Sequence, residues 1–490
     1  MIITENTPPS PVKASTPLLG GADGSGSGTT QPAYAPPTSG AVRAPYFVNQ
    51  PSYGQQRESS AARRFCFAFL FAIGIWLLVS TLLGSIFRVS VHNSNHAAPS
   101  VEAAGRWDYP IPPDVSTSDC VAWSEEETRN PRSGSFPYYA AVSLDVPLPY
   151  ETLLLLSAGS LSNGNLKITT SPEVSDIARV DIAVHYYTKD VRDLVKICYV
   201  DRKDGESGVG IFTPRFWRSP SRTDRLYFEV VLTLPQSTSP LFINRLVTDV
   251  SNFSHDLDAL EDIIKFGEVF LTGSNGKIHA KTVGATNVKL TTSNGAVLVD
   301  HLVALNAAVR TSNAGISGNY SAVDSLHLTT SNGAIKVEAA LTGDDTKPLI
   351  LRTSNHVLEA TINLGAPSGS GGSFHVQAET SNGRLAAHIA SAPVEFVLTL
   401  QARTSNAKAL VKLPPTYEGD LEVHTSNAGV GIARADPHEE DPRGEGRTRR
   451  LETRVVGKYM AAGAVYWDRG NVHRGGAVLR TSNGAATIYV

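Results

Sequence analysis

A short motif, Ser-Asn preceded in most copies by Thr and followed in most by Gly or Ala, recurs through the C-terminal half of this chain of 490 residues. The first four motif asparagines are evenly spaced, the next intervals are somewhat longer, and the last interval is by far the longest. Periodicity on this scale is typical of repeat architectures and constrains the fold more than any local pattern. The motif asparagines are Asn275, Asn294, Asn313, Asn332, Asn355, Asn382, Asn406, Asn427 and Asn483.

The residues on both sides of the motif alternate between apolar and polar side chains. Around Asn294, for example, Val288 and Leu290 lie six and four positions before it, and Val297 and Val299 lie three and five positions after it. The same positions around the other motif asparagines are apolar or, once, glycine. A period of two on each side of a turn motif predicts strand, turn, strand with one buried face.

A single repeat unit is too short to bury such a face, but a stack of units makes a continuous core. With rungs about 4.8 Å apart, nine units would extend roughly 40 Å. Asn and Gly tolerate the left-handed turn conformation, and stacked Asn amides can form a hydrogen-bonded ladder. We therefore expect residues 268–490 to form an all-β, right-handed parallel β-solenoid whose motif asparagines are structural. Residues 434–475 interrupt the repeat with a charged segment and are expected to be a solvated loop.

The region before the repeats divides by composition. Residues 1–64 are rich in Pro, Gly, Ser and Thr, which predicts a disordered tail. Residues 88–137 are polar and contain Pro, as expected of a stalk or linker. Residues 138–267 contain apolar, β-branched runs separated by Asp, Gly and Pro, which predicts a β-rich region.

Residues 65–87, FCFAFLFAIGIWLLVSTLLGSIF, form a long segment without a charged side chain. As a helix the segment would span a hydrocarbon core of about 30 Å, whereas a cleaved signal peptide has a shorter apolar stretch. Arg57, Arg63 and Arg64 precede the segment closely, and only Arg88 follows it closely. This bias predicts a cytoplasmic N-terminus and an extracytoplasmic C-terminal domain. We expect a single-pass type II protein of the plasma membrane or of a secretory-pathway membrane.

Further features on the C-terminal side of this segment fit an extracytoplasmic location. Asn252 and Asn319 each begin a sequon for N-glycosylation. Cys120 and Cys198 are the two cysteines on that side. In an oxidising compartment they could form a disulfide, worth roughly 3–5 kcal/mol by loop-entropy arithmetic.

Motifs that carry chemistry are missing from the sequence. It has no zinc-ligand spacing, no P-loop, no dinucleotide-binding fingerprint and no nucleophile elbow. The net charge of −3 gives no basic field for nucleic acid. We therefore expect no cofactor, no metal, no nucleic-acid partner and no enzymatic activity.

One outward-facing row has a distinct composition. The residues three positions before the motif asparagines are Thr272, Thr291, Arg310, Thr329, Arg352, Glu379, Arg403, His424 and Arg480. Outward strand positions are often simply polar, but this row could also dock an anionic glycan or a protein. The candidate binding residues are Arg310, Arg352, Arg403 and Arg480.

The segments TTSNGAVLV, RTSNAGISG, TTSNGAIKV and RTSNGAATI resemble the putative-adhesin family of uncharacterised β-solenoid repeat proteins, and the tail-plus-anchor layout resembles its fungal members. The resemblance covers about residues 226–490 and implies a right-handed β-solenoid with a role at the cell surface. We therefore expect a non-enzymatic module for adhesion, cell-wall contact or scaffolding, whose partner is a cell-wall glycan or a surface protein. The alternative is a polysaccharide-active β-helix enzyme, a lyase or a glycoside hydrolase.

Overall fold

The computed structural model describes residues 107–124, 128–129, 136–148, 151–174, 176–203, 205–215, 221–236, 240–436 and 438–490. These residues belong to one compact unit, Ala104–Val490. The expected tail at residues 1–64, the expected membrane span at residues 65–87 and much of the expected stalk lie outside the described residues. Within the described ranges, no helix is long and apolar enough to span a membrane.

Strands dominate the structure. The first strands are β1 (Ser116–Ser118), β2 (Thr128–Arg129), β3 (Tyr138–Pro147), β4 (Thr152–Ala158), β5 (Gly164–Val174), β6 (Ile177–Tyr186), β7 (Lys196–Lys203), β8 (Glu206–Phe212) and β9 (Leu226–Gln236). They are followed by β10 (Leu241–Val250), β11 (Phe253–Ala259), β12 (Ile264–Thr272), β13 (Ile278–Thr291), β14 (Val297–Arg310), β15 (Ile316–Thr329) and β16 (Ile335–Thr342).

The remaining strands are shorter. They are β17 (Lys347–Arg352), β18 (Leu358–Gly365), β19 (Ser373–Glu379), β20 (Leu385–Ser391), β21 (Val397–Arg403), β22 (Ala409–Lys412), β23 (Gly419–His424), β24 (Val430–Ala433), β25 (Arg450–Val456), β26 (Met460–Tyr466), β27 (Gly475–Arg480) and β28 (Ala486–Tyr489). Helical structure in the described residues is limited to α1 (Lys189–Arg192) and a 3-10 turn (Arg469–Asn471).

The strands form two parallel ladders, because each coil of the chain contributes one strand to each ladder. Ladder 1 runs β8, β4, β10, β12, the second halves of β13, β14 and β15, then β17, β19, β21, β27 and β23. Ladder 2 runs β9, β5, β11, the first halves of β13, β14 and β15, then β16, β18, β20, β22, β28 and β24. The expected all-β, coiled architecture is confirmed, and the hand of the coils stays a prediction.

The core lies between the two ladders, where the alternating apolar positions meet. Val288 pairs in register with Ala307 and Leu290 with Val309, so equivalent positions of successive coils stack on each other. These residues are buried, as are their counterparts in the neighbouring coils. Burial therefore confirms the inward and outward assignment made from the period of two. At the last rung of ladder 2, Val430 and Ile432 are only partly buried, because β24 pairs with β28 on one side alone among the described strands.

The coils do not stack in sequence order at the N-terminal end. In ladder 1, β4 lies between β8 and β10, and in ladder 2, β5 lies between β9 and β11. The coil of β4 and β5 therefore comes first in sequence but second in the stack. Strand β7 pairs antiparallel with β8, and strand β6 pairs antiparallel with β9. These two antiparallel pairings end the parallel ladders. The ladders continue without a break across residue 268, because β10 pairs with β12 and β11 with β13.

The C-terminal end shows the same interleaving. Strands β27 and β28, which carry the last motif, lie between the coil of β21 and β22 and the coil of β23 and β24. Residues 434–475, expected to be a solvated loop, also contain β25 and β26, which form an antiparallel hairpin on β23. The segment is therefore partly folded. Its buried cation, Arg449, donates to the carbonyl oxygens of Pro414 and Tyr417 and forms an ion pair with Glu439.

Candidate binding surface

The motif asparagines form one hydrogen-bonded ladder along the stack. In each step the Nδ2 group of one asparagine donates to Oδ1 of the asparagine in the preceding coil, at 2.6 to 2.7 Å. The spatial order is Asn252, Asn275, Asn294, Asn313, Asn332, Asn355, Asn382, Asn406, Asn483 and Asn427. The ladder fixes the turns of neighbouring coils to one another.

The other motif residues complete the turn. The buried hydroxyl of Thr292 donates to the carbonyl oxygen of Gly276 in the preceding coil at 3.1 Å and accepts from the backbone N–H of Gly295 at 3.3 Å. The backbone N–H of Asn294 donates to the carbonyl oxygen of Ser274. A Cβ atom on Gly295 would lie 1.8 Å from the Gly276 carbonyl oxygen, so a side chain at this position would require the turn to move. Each motif residue therefore has a structural partner.

Asn252 belongs to this ladder, although the repeat pattern did not predict it. Its Nδ2 group donates to the carbonyl oxygen of Ser162 at 2.9 Å, and its Oδ1 accepts from Asn275. The sequon partner Ser254 donates to Oδ1 of Asn165 at 2.7 Å. The pair Ser251-Asn252, which precedes the first motif, was the available signal. It was weak because neither Thr nor Gly flanks the pair.

The coil of Asn252 also carries a polar pair inside the core. His255 and Thr248 occupy inward positions, and Nε2 of His255 lies 2.8 Å from Oγ1 of Thr248. Both side chains are fully buried, and His255 Nδ1 has no hydrogen-bond partner among the described residues. Burial lowers the pKa of His255 to about 4, because the charged imidazolium loses its hydration. This pair is enclosed between the ladders and is not a surface site.

The residues of the outward-facing row, three positions before the motif asparagines, follow a different order along the stack than in the sequence. Register pairing gives Thr272, Thr291, Arg310, Thr329, Arg352, Glu379, Arg403, Arg480 and His424. Stacking in sequence order would have set His424 beside Arg403. The interleaved coil instead places Arg480 between them, so that three groups capable of carrying positive charge occupy adjacent rungs.

The arginines of this row differ in their partners. Arg352 forms an ion pair with Glu379 at 3.1 Å, and Glu379 also accepts from the side-chain amide of Gln377. In the part of the chain that the structure describes, Arg310, Arg403 and Arg480 form no ion pair and donate no side-chain hydrogen bond. Their guanidinium groups are exposed and remain able to bind an anion.

The two arginines Arg403 and Arg480 border a groove of about 630 Å³ on the outer face of ladder 1. We call it the arginine groove. The surrounding polar side chains include Gln401, His424, Ser426 and Ser482, together with three motif threonines, Thr404, Thr425 and Thr481. Of these, His424 lies 3.3 Å from Glu422. Gln401, Ser426 and Ser482 were not singled out by sequence, because they are ordinary outward or turn positions and their proximity depends on the interleaved order.

The groove offers hydrogen-bond donors rather than a set of reacting groups. Glu379, the acid in its lining, is engaged with Arg352 and Gln377. The described residues contain no group of three or more His, Cys, Asp or Glu side chains that could hold a metal ion. Guanidinium, amide and hydroxyl donors on one face are suited to binding carboxylate or sulfate.

At the opposite end of the stack, Cys120 and Cys198 are joined by a disulfide bond across 78 residues. Cys198 is buried on β7, and β1, just before Cys120, pairs antiparallel with β7. The bond therefore ties the segment around β1 to the antiparallel strands that end ladder 1.

Comparison with known proteins gives a partial match. Residues 226–349, from the start of β9 into β17, match the Toastrack DUF4097 family. No curated protein matches the chain. A structure described as a putative cell adhesion protein from Clostridium sporogenes ATCC 15579 is 9% identical with a TM-score of 0.14, over 71% of this chain and 99% of that one. A putative adhesin from Parabacteroides merdae ATCC 43184 is 9% identical with a TM-score of 0.23, over 71% and 96%.

Proposed function

We propose that the chain is a single-pass membrane protein that displays a right-handed, non-enzymatic β-solenoid outside the cytoplasm, for adhesion, cell-wall contact or scaffolding. The observation that carries this proposal is the arginine groove. It combines exposed cations that have no counter-ion among the described residues with a scaffold held by the asparagine ladder. A fixed scaffold with unsatisfied donors favours ligand binding, because few groups must be ordered on association.

Two observations support the membrane topology. Residues 65–87 are uncharged and long enough to span a bilayer, with arginines concentrated on the N-terminal side. The disulfide between Cys120 and Cys198 supports an oxidising compartment for the C-terminal domain, because disulfides are rare in the cytosol. The proposed location is the plasma membrane or a secretory-pathway membrane.

The alternative of a polysaccharide-active enzyme has less support. Glycosidases generally require two carboxyl groups facing each other across the scissile bond. In the arginine groove the acidic lining residue is Glu379, which is held by Arg352 at 3.1 Å. Glu422, beside the groove, lies 3.3 Å from His424. The described groove therefore favours binding over catalysis.

A combined retention and product-release assay tests this function. The purified full-length chain is applied to a glycan array and to cell-wall polysaccharides, and both bound protein and released sugars are measured. We expect retention without product release. Retention reduced by Arg403→Ala with Arg480→Ala would support the arginine groove as the binding surface. Product release abolished by one Asp or Glu substitution would establish an enzyme and contradict the proposal.

The topology has its own test. Protease added to intact cells should remove the C-terminal domain and leave an N-terminal tag protected. In sealed secretory-pathway vesicles, protease should instead remove the N-terminal tag and leave the C-terminal tag protected. The reverse pattern in either preparation would overturn the proposed orientation.

A further inference from the structure

We infer that the arginine groove binds an acidic polysaccharide, gripping its carboxylate or sulfate groups with Arg403 and Arg480; this inference rests on the proposed binding function and names its ligand class. The starting observation is that two unpaired arginines occupy directly opposed positions on β21 and β27. Like charges on neighbouring rungs repel each other. The described residues supply no acid between them, so an anionic ligand would relieve this repulsion.

The interleaved coil is what creates this arrangement. Arg480 reaches its position beside Arg403 through the insertion of β27 between β21 and β23. Adjacent rungs lie about 4.8 Å apart, which lets two guanidinium groups share one anionic group or bind two neighbouring ones. Arg403 and Arg480 therefore form a binding unit that no coil contains alone.

The spacing of the remaining arginines favours a polymeric ligand. Arg310, Arg352 and Arg403 occupy every second rung of ladder 1, and Thr329 and Glu379 lie between them. Two rungs span about 9.6 Å along the stack, and the four rungs from Arg310 to Arg403 span about 19 Å. A polysaccharide that carries an acid group on every sugar, or on every second sugar, presents acid groups at this spacing. Such a chain lying along the stack would meet several arginines in turn.

The lining distinguishes a glycan from an acidic protein segment. Apart from its charged residues and the motif threonines Thr404, Thr425 and Thr481, the groove presents the amide of Gln401 and the hydroxyls of Ser426 and Ser482. Ala402 and Val478 are its apolar lining residues. Protein interfaces usually depend on aromatic or large apolar anchors in pockets. Hydroxyl and amide partners suit the many hydroxyl groups of a sugar chain.

The test measures dissociation constants of the full-length chain for four probes. These are oligogalacturonates of increasing length, sulfated dextran, neutral dextran and poly-glutamate. We expect both acidic glycans to bind, with an affinity that falls as salt rises. Arg403→Gln with Arg480→Gln should weaken oligogalacturonate binding by roughly tenfold or more, because it removes charge-assisted hydrogen bonds. The matched control is Arg222→Gln with Arg225→Gln, which removes the same charge from an exposed turn before β9. This control should leave the affinity within about twofold.

Ligand length provides a second readout. Arg310→Gln should weaken only those oligogalacturonates that extend beyond about 19 Å from the Arg403 rung. Equal weakening of the shortest probe would contradict the proposed path along the row.

The outcomes separate this inference from the proposed function. Binding of neutral dextran, unaffected by Arg403→Gln with Arg480→Gln, would overturn the acidic-ligand inference and leave a glycan-binding module in place. Poly-glutamate binding as tightly as the glycans would overturn the choice of a polysaccharide and favour a protein partner. Acidic glycans bound equally by both double variants would place the site elsewhere.

Discussion

The side-chain amide of Asn483 donates a hydrogen bond to Oδ1 of Asn406 at 2.7 Å, although 77 residues separate them in sequence. Asn427, which is much nearer to Asn406 in sequence, is instead the next partner of Asn483. The last motif of the chain is therefore inserted between two earlier ones. This insertion places Arg480 beside Arg403 and creates the arginine groove.

The asparagine ladder should contribute measurably to stability. Asn332→Leu removes one bond donated to Asn313 and one accepted from Asn355, so we expect unfolding to become easier by about 1–3 kcal/mol. Asn427 forms one such bond at the end of the ladder, and Asn427→Leu should cost roughly half as much. Urea unfolding of both variants measures the difference. Equal losses at the two positions would indicate that the ladder does not carry the effect.

The alternation of inward and outward positions has a direct test at two neighbouring residues. Leu328 is fully buried, whereas Thr329 lies on the outer row between Arg310 and Arg352. Leu328→Asp should prevent folding or lower the free energy of unfolding by several kcal/mol, because an unpaired charge would enter the core. Thr329→Asp should be tolerated, since two arginines flank it. Circular dichroism and urea unfolding distinguish the two, and a normally folded Leu328→Asp variant would contradict the assignment.

The buried His255 should make stability depend on pH. Its pKa is lowered to about 4 in the folded chain and is near 6.5 when the chain unfolds, so the unfolded state takes up a proton first as pH falls. The stability contributed by the neutral side chain is present above about pH 6.5 and is lost progressively toward pH 4. Between about pH 7.5 and pH 5, we expect a loss of about 2 kcal/mol from this residue.

The measurement is urea unfolding at both pH values for the native chain and for Thr248→Val with His255→Leu. The double variant replaces the polar pair with apolar side chains of the kind found at the equivalent inward positions. Its pH dependence should be smaller than that of the native chain by the stated amount. An unchanged pH dependence would show that His255 does not titrate in this way.

The two sequons should behave differently on passage through a glycosylating compartment. Asn319 is exposed, and its amide donates to the Asp300 carbonyl oxygen at the surface. Asn252 uses its amide nitrogen within the stack, where it donates to Ser162. We expect the folded chain to carry a glycan at Asn319 and little at Asn252. Mass spectrometry of glycopeptides, with Asn319→Gln as the control, measures both occupancies, and high occupancy at Asn252 would indicate modification before the ladder forms.

Much of the fold was predictable because its physical basis is local and repeated. The apolar positions around each motif asparagine predict which side chains face inward, as Leu290 and Val309 illustrate. The interleaved order was not predictable, because the coils of Asn427 and Asn483 carry the same motif and the same inward pattern. Periodicity identifies the coils but does not determine the order in which they stack. The pairing of Arg403 with Arg480 was hidden for the same reason.

Residues 434–475 are more ordered than the sequence predicted, for a different reason. Its charged residues suggested solvent, yet Arg449 is buried and hydrogen-bonded to the backbone of Pro414 and Tyr417. Composition predicted exposure correctly for Glu445 but could not identify which arginine would find buried partners.

Disulfide trapping of the rungs tests the interleaved order most directly. Gln401 pairs in register with Val478, and Glu422 lies one rung further, beside Val478. Cysteines on adjacent rungs, about 4.8 Å apart, are within disulfide range, whereas those two rungs apart, at about 9.6 Å, are not. Under mild oxidation of the folded chain, Gln401→Cys with Val478→Cys should give a crosslinked peptide in mass spectrometry, and Gln401→Cys with Glu422→Cys should not. Crosslinking of the second pair but not the first would show that the coils stack in sequence order and would contradict the account.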